Sequence, residues 1–169
     1  ENHFRSNGLD VDVISATAEE LTKTIHLDAY DIIIGRGHTA QLLKQINGAY
    51  SVVDIPITGY DVLRAIEEAR RCHAGKRIAL FLSAVRNHDA QVLSDVSGLD
   101  IRIFVVQDIS EMEATMAYIK EEGYDVVVGG YSARISAERM GLPAVVIQTG
   151  DEAIMQAFAE AQNMVSSVN

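Results

Sequence analysis

The segment Tyr30-Asp31-Ile32-Ile33-Ile34-Gly35-Arg36-Gly37-His38-Thr39-Ala40 returns, altered, as Tyr124-Asp125-Val126-Val127-Val128-Gly129-Gly130-Tyr131-Ser132-Ala133. Each copy is a short apolar run, then glycine, then a small hydroxyl residue, then alanine. That order reads as a buried strand, a glycine-bearing turn and a helix. Three more landmarks recur in the same sequence. Gly8-Leu9-Asp10-Val11-Asp12-Val13-Ile14 returns as Gly98-Leu99-Asp100-Ile101-Arg102-Ile103-Phe104, and the capping box Thr17-Ala18-Glu19-Glu20 as Ser110-Glu111-Met112-Glu113. Thr58-Gly59 returns as Thr149-Gly150. Four landmarks in one order are a repeat of roughly ninety residues, too long for a solenoid unit. The chain is expected to form two similar α/β lobes, parallel sheets flanked by helices in a flavodoxin- or Rossmann-like repeat.

The expected lobes are residues 1–74 and 75–169, with the last helix packing back on the first lobe. Strands are expected at Leu9–Ile14, Tyr30–Ile34, Ser51–Ile55, Lys76–Ser83, Asp100–Phe104, Tyr124–Val128 and Ala144–Ile147. One helix carries Val62, Leu63, Ile66 and Ala69 inward; the last carries Ile154, Met155, Phe158 and Ala161. The strand Ile78–Leu82 has no counterpart before Gly8. The first lobe is therefore expected to lack its N-terminal strand, with Glu1 to Asn7 as the tail of a helix.

Composition narrows the function classes. In 169 residues, 48% are apolar, enough for a substantial core. The net charge of −10 argues against direct nucleic-acid or anionic-membrane binding, which needs a basic face. There is no run of eighteen apolar residues and no signal-peptide pattern at the polar start. The single cysteine, Cys72, forms no intrachain disulfide and no thiolate cluster. A cytoplasmic setting is expected.

Gly35-Arg36-Gly37-His38-Thr39-Ala40 matches G-x-G-x-x-A, and Asp54 lies near the place of a ribose-binding acid. Such glycines also occur wherever a strand bends sharply into a helix. A more general rule holds for open parallel sheets: ligands sit beyond the carboxyl ends of the strands, at helix N-termini. That selects Arg36, Gly37, His38 and Thr39; Thr58, Gly59 and Tyr60; Ser83; Gly130, Tyr131 and Ser132; and Thr149 with Gly150. Thr58 and Thr149 serve equally well as plain N-caps. A cap needs neither the Arg36 nor the His38 side chain, which favours a ligand role for both. The histidines show no metal-ligand spacing, and no nucleophile elbow is present. Neither a metal nor a cofactor is expected. A receiver-type phospho-acceptor at Asp54 is disfavoured by the apolar Ile55-Pro56-Ile57 that follows. Two-lobed racemases need a pair of cysteines that this chain lacks.

The block Asp31 to Ala40, followed by Val53-Asp54-Ile55-Pro56-Ile57-Thr58-Gly59-Tyr60-Asp61-Val62-Leu63-Arg64-Ala65, resembles the N-terminal sensory domain of the propionate-catabolism activators (PrpR type). Tyr124 to Gly130 fits the same family, and the resemblance spans nearly the whole chain. It implies a non-catalytic, effector-sensing domain of a bacterial sigma-54-dependent transcription activator. In such regulators an AAA+ ATPase module and a helix-turn-helix follow, often with a PAS domain between. Sigma-54 RNA polymerase and DNA are met only through those modules. In the propionate branch the effector is 2-methylcitrate, a tricarboxylate. The expected function is capture of a small, carboxylate-type metabolite between the lobes. Arg36 would give charge-assisted hydrogen bonds, His38 a pH-sensitive donor, and amides near Gly37, Gly59, Gly130 and Gly150 the rest. Two other classes remain open: a nucleotide or dinucleotide module or enzyme subunit, and an interaction domain without ligand. A homodimer is compatible with each.

Overall fold

The computed structural model describes residues 2–6, 8–14, 16, 20, 21, 23, 26–46, 48–82, 90–106 and 109–168. In chain order these form β1 (Asn2–Ser6), β2 (Leu9–Val13), a 3-10 turn (Leu27–Ala29), β3 (Ile32–Gly35), α1 (Gly37–Gln45), β4 (Ser51–Asp54) and α2 (Gly59–His73). There follow β5 (Arg77–Phe81), α3 (Ala90–Ser97), β6 (Asp100–Phe104), α4 (Ile109–Glu121), β7 (Val126–Gly129), α5 (Tyr131–Arg139), β8 (Ala144–Val146) and α6 (Asp151–Val168). Contacts divide the chain into two compact units. One comprises Glu1–Pro56 and Gly150–Asn169, the other Ile57–Thr149.

The second unit is built on a parallel sheet in the order β6-β5-β7-β8. Ile78, Ala79, Leu80 and Phe81 are all buried, because β5 is a central strand covered on both faces. On one face Val62, Ile66 and Ala69 of α2 join Ile78, Leu80, Val126 and Val128. On the other, Met116 and Ile119 of α4 with Ala133 and Ala137 of α5 join Ala79, Phe81 and Val127. Each large side chain removed from water in these layers contributes roughly 1.5–3 kcal/mol. Outside the second layer, the Arg77 guanidinium lies 4.3 Å from the Tyr124 ring centre. The hydroxyls of Tyr124 and Tyr118 hold the Arg102 guanidinium above its ordinary pKa.

Helix α2 shows how local sequence sets an element. Thr58 is its N-cap: the Thr58 hydroxyl accepts from the Asp61 N–H, and the Asp61 carboxylate accepts from the Thr58 N–H, both at 3.2 Å. Ala74, left-handed at φ 48°, ends it. Its inward stripe is Val62, Ala65, Ile66 and Ala69, whereas Leu63 is 41% exposed. The expectation that Leu63 faces inward is thus corrected: Ala65 takes that side of the stripe. Ser110 lies inside α4, which already includes Ile109, and does not stand before it as a cap.

The first unit pairs β3 with β4 in parallel, Gly35 opposite Asp54. Helix α6 covers this pair by setting Ala157 and Ala161 against Val53. Small alanines let a helix lie close to a strand, so Ala153, Ala157 and Ala161 form its buried stripe. Met155, expected inward, is 71% exposed. The segment expected as a helix tail is instead β1, antiparallel to β2, with Ser6 opposite Leu9 and Gly8 at φ 81° closing the hairpin. This two-stranded sheet is also an exception to the all-parallel expectation. The capping box at Thr17 and the residue Ile25 fall outside the described residues.

The break between units lies at 56/57 and 149/150, whereas the sequence suggested 74/75. The reason is an exchange of helices. Helix α2, which follows β4 in sequence, packs on β7 and β8; helix α6, which follows β8, packs on β3 and β4.

Candidate functional site

Every described candidate residue leaves a sheet at its carboxyl edge or opens a helix there. In the first unit these are Arg36, Gly37, His38 and Thr39 after β3, and Gly150 before α6. In the second they are Thr58, Gly59 and Tyr60 at the start of α2, Gly130, Tyr131 and Ser132 after β7, and Thr149. Gly130 and Ile147 leave adjacent strands together, since the Ile147 N–H donates to the Gly129 carbonyl at 2.8 Å. Ser83 lies outside the described residues, and the His38 side chain is likewise not described.

These helix starts differ in what already satisfies them. At α2 the Thr58–Asp61 box takes two of the orphan groups. Asp61 is 2% exposed and also pairs with Arg64, so the start of α2 carries a buried carboxylate. At α6 the first turn holds Asp151 and Glu152. Carboxylates there satisfy the positive end of the helix dipole and repel an incoming anion. Thr58 is therefore a cap, and the amides near Gly59 and Gly150 face a negative neighbourhood.

The two starts that follow the repeated strands are different. Helix α1 has Arg36 as N-cap, with no side-chain cap and no acidic residue in its first turn. Helix α5 has Gly130 as N-cap, again with no side-chain cap and no first-turn acid. Gly37 sits at φ 59°, a left-handed conformation that favours glycine. Gly130 has an ordinary φ of −80°, and a Cβ built there meets nothing within 4 Å. Beside Gly130, Tyr131 is 61% exposed, and at the start of α2 Tyr60 is 69% exposed. Arg36, half-buried, places a guanidinium-bearing residue at the start of α1. Asp54, the candidate ribose acid, is ion-paired with Lys44.

Two concavities of about 350 and 380 Å³ lie elsewhere. One is lined by Leu43, Lys44, Tyr50 and Val52, the other by Arg70, Lys76, Gly98 and Leu99. Both open at the amino ends of strands, away from the candidate residues. Among the described residues no group of three His, Cys, Asp or Glu side chains is placed to hold a metal ion. No helix among them is long and apolar enough to cross a membrane.

Comparison with known proteins decides the family. The model of the family described as "Propionate catabolism activator" matches residues 6–169. The chain belongs to this family. Among solved structures, it is similar to an NtrC-family transcriptional regulator from Clostridium acetobutylicum, at 27% identity and a TM-score of 0.76. That match covers 90% of this chain and 77% of the clostridial chain. No curated protein matches the sequence significantly. The α/β architecture and the family together identify a sensory domain of a transcriptional activator.

Proposed function

We propose that this domain senses a small anionic, carboxylate-type metabolite, and that binding regulates a downstream AAA+ module. The observation that carries this reading is the selective lack of caps. Of the helix starts at α1, α2, α5 and α6, only those of α1 and α5 have neither a side-chain cap nor a first-turn acid. They are also the two copies of the repeated strand–turn–helix, one in each unit. Arg36 supplies charge-assisted hydrogen bonds and the amides of residues 37–39 and 131–132 supply neutral donors. Thr39 and Ser132 offer hydroxyls at these two helix starts.

No catalytic step is assigned. A sensor needs only differential affinity for the closed form. A thermal-shift screen against mono-, di- and tricarboxylates tests the reading. At least one carboxylate should raise the melting temperature of the native protein and fail to raise that of Arg36→Ala. An equal shift in both proteins removes Arg36 from the site.

A further inference from the structure

Four of the chain's 14 lysines and arginines fall in the short run Arg70-Arg71-Cys72-His73-Ala74-Gly75-Lys76-Arg77, although the whole chain carries a net charge of −10. Part of this cluster is ordinary capping, since basic residues meet the negative end of a helix dipole. Yet α1, α4 and α5 each have a single basic residue in the last turn, whereas α2 has Arg70, Arg71 and His73. Lys76 lies beyond the helix altogether, immediately before β5.

Neighbouring acids leave much of this charge unspent. The Asp125 carboxylate accepts the backbone N–H groups of Lys76 and Arg77, at 3.0 and 2.9 Å. Asp100 pairs with the Arg77 side chain at 3.3 Å. Side chains alternate along a strand, so Arg77 shares a face with Ala79 and Phe81, and Lys76 the opposite face with Ile78 and Leu80. Lys76 is exposed, and its ammonium has no hydrogen-bond or ion-pair partner among the described residues. Arg70 donates to Glu67 from Nε, at 2.9 Å, and from Nη2, which leaves three of its five N–H donors. Arg70 and Lys76 line the concavity of about 380 Å³ between the end of α2 and the Gly98-Leu99 turn that enters β6. The rest of its lining, Ala74, Gly75, Gly98 and Leu99, has no polar side-chain atom. The amides there are taken: Ala74 and Gly75 donate to the Ala69 carbonyl, Gly98 to the Ser94 carbonyl and Leu99 to the Ser97 hydroxyl. A small oxyanion such as phosphate therefore finds no backbone cradle. A ligand with carboxylates for the two cations and an aliphatic group for the surface between them fits better.

We propose that this concavity docks an acidic peptide segment, with one aliphatic side chain seated against Leu99 and flanking carboxylates on Lys76 and Arg70. Charge complementarity selects the partner. The basic cluster is local, and the acidic remainder of the chain repels a long polyanion such as nucleic acid. The concavity opens at the amino ends of the strands, and Gly130 and Tyr131 follow the carboxyl end of β7 in the same unit. Docking here does not depend on metabolite capture at that other edge.

The test titrates a capped synthetic peptide, Glu-Glu-Leu-Glu-Glu, into the native 169-residue chain and follows backbone amides by NMR. Saturable binding is expected, with shifts concentrated at Ala74, Gly75, Gly98 and Leu99. Lys76→Glu should weaken binding about tenfold, since it replaces an attraction by a like-charge contact. Lys76→Gln should weaken it less, and thermal melts should report both variants folded. Serine in place of the peptide's leucine should weaken binding as well. The proposal is overturned by an absence of saturable binding, or by equal binding to native protein and folded Lys76→Glu. Equal binding of the serine peptide, or of an oligothymidylate, would make the patch a general polyanion surface and overturn it too. Sedimentation showing self-association that Lys76→Glu abolishes would give the concavity to a second copy of the chain instead.

Discussion

Gly129 and Gly130 are neighbours with opposite constraints. A Cβ built on Gly129 falls 2.9 Å from the Phe81 Cβ and 3.0 Å from the Ala133 Cβ. Both distances are shorter than ordinary carbon–carbon contact, and both partners are Cβ atoms fixed to backbone, so neither swings aside. Gly129→Ala must push β7 away from β5 or from α5. Overpacking of this kind costs about 1–3 kcal/mol. For a chain of this size each kcal/mol lowers the melting temperature by about 2–4 °C. Gly130→Ser places a hydroxyl in open space at an extended N-cap. It should be neutral or stabilising by roughly a few tenths of a kcal/mol, because serine caps a helix slightly better than glycine. The same hydroxyl would occupy the amides assigned to the effector, so metabolite binding should weaken as stability holds. Urea denaturation and thermal melts of both variants, followed by a carboxylate screen of Gly130→Ser, separate these effects. If Gly129→Ala matched the native protein, the packing of β7 between Phe81 and Ala133 would be refuted. If Gly130→Ser lost as much stability as Gly129→Ala, the open N-cap would be refuted.

The helix phase of α2 is checked by comparing Ile66→Ala with Leu63→Ala. Ile66, 3% exposed, should cost about 2–5 kcal/mol in urea unfolding, and Leu63, 41% exposed, less than about 1 kcal/mol. Glu67 should titrate below the ordinary glutamate range, held there mainly by its hydrogen bond from Arg70. Its contribution is present above the unfolded glutamate pKa and is lost as pH falls through the lower folded value. An NMR pH titration of Glu67 should return to the ordinary range in Arg70→Ala.

Much of the fold was legible because period and punctuation are local properties. The runs Ile78–Phe81 and Val126–Val128 could only be buried strands, and Thr58-Gly59-Tyr60-Asp61 spelled a helix start. Three features were less legible, each for a physical reason. Asn7-Gly8 is a strong hairpin signal, but the repeat argued for a helix tail at that place, and hairpin pairing won. Leu63 and Met155 looked like core on hydrophobicity alone. The stripes that pack are set by alanines at 65, 69, 153, 157 and 161, whose small size permits close approach. The exchange of α2 and α6 between units was invisible for α2, because periodicity shows which face of a helix is apolar and not which sheet it meets. The site followed the same division. Its edge could be read from strand–turn–helix order. The ranking of its helix starts needed the Thr58–Asp61 geometry and the positions of Asp151 and Glu152.

The most direct measurement is a calorimetric titration of the carboxylate that gives the largest thermal shift, into the native protein and into Arg36→Ala. The expected result is saturable binding by the native protein and a loss of about ten- to a hundredfold in affinity for the variant, as removal of a charge-assisted pair implies. Equal affinity in the two proteins, with both folded, would contradict it.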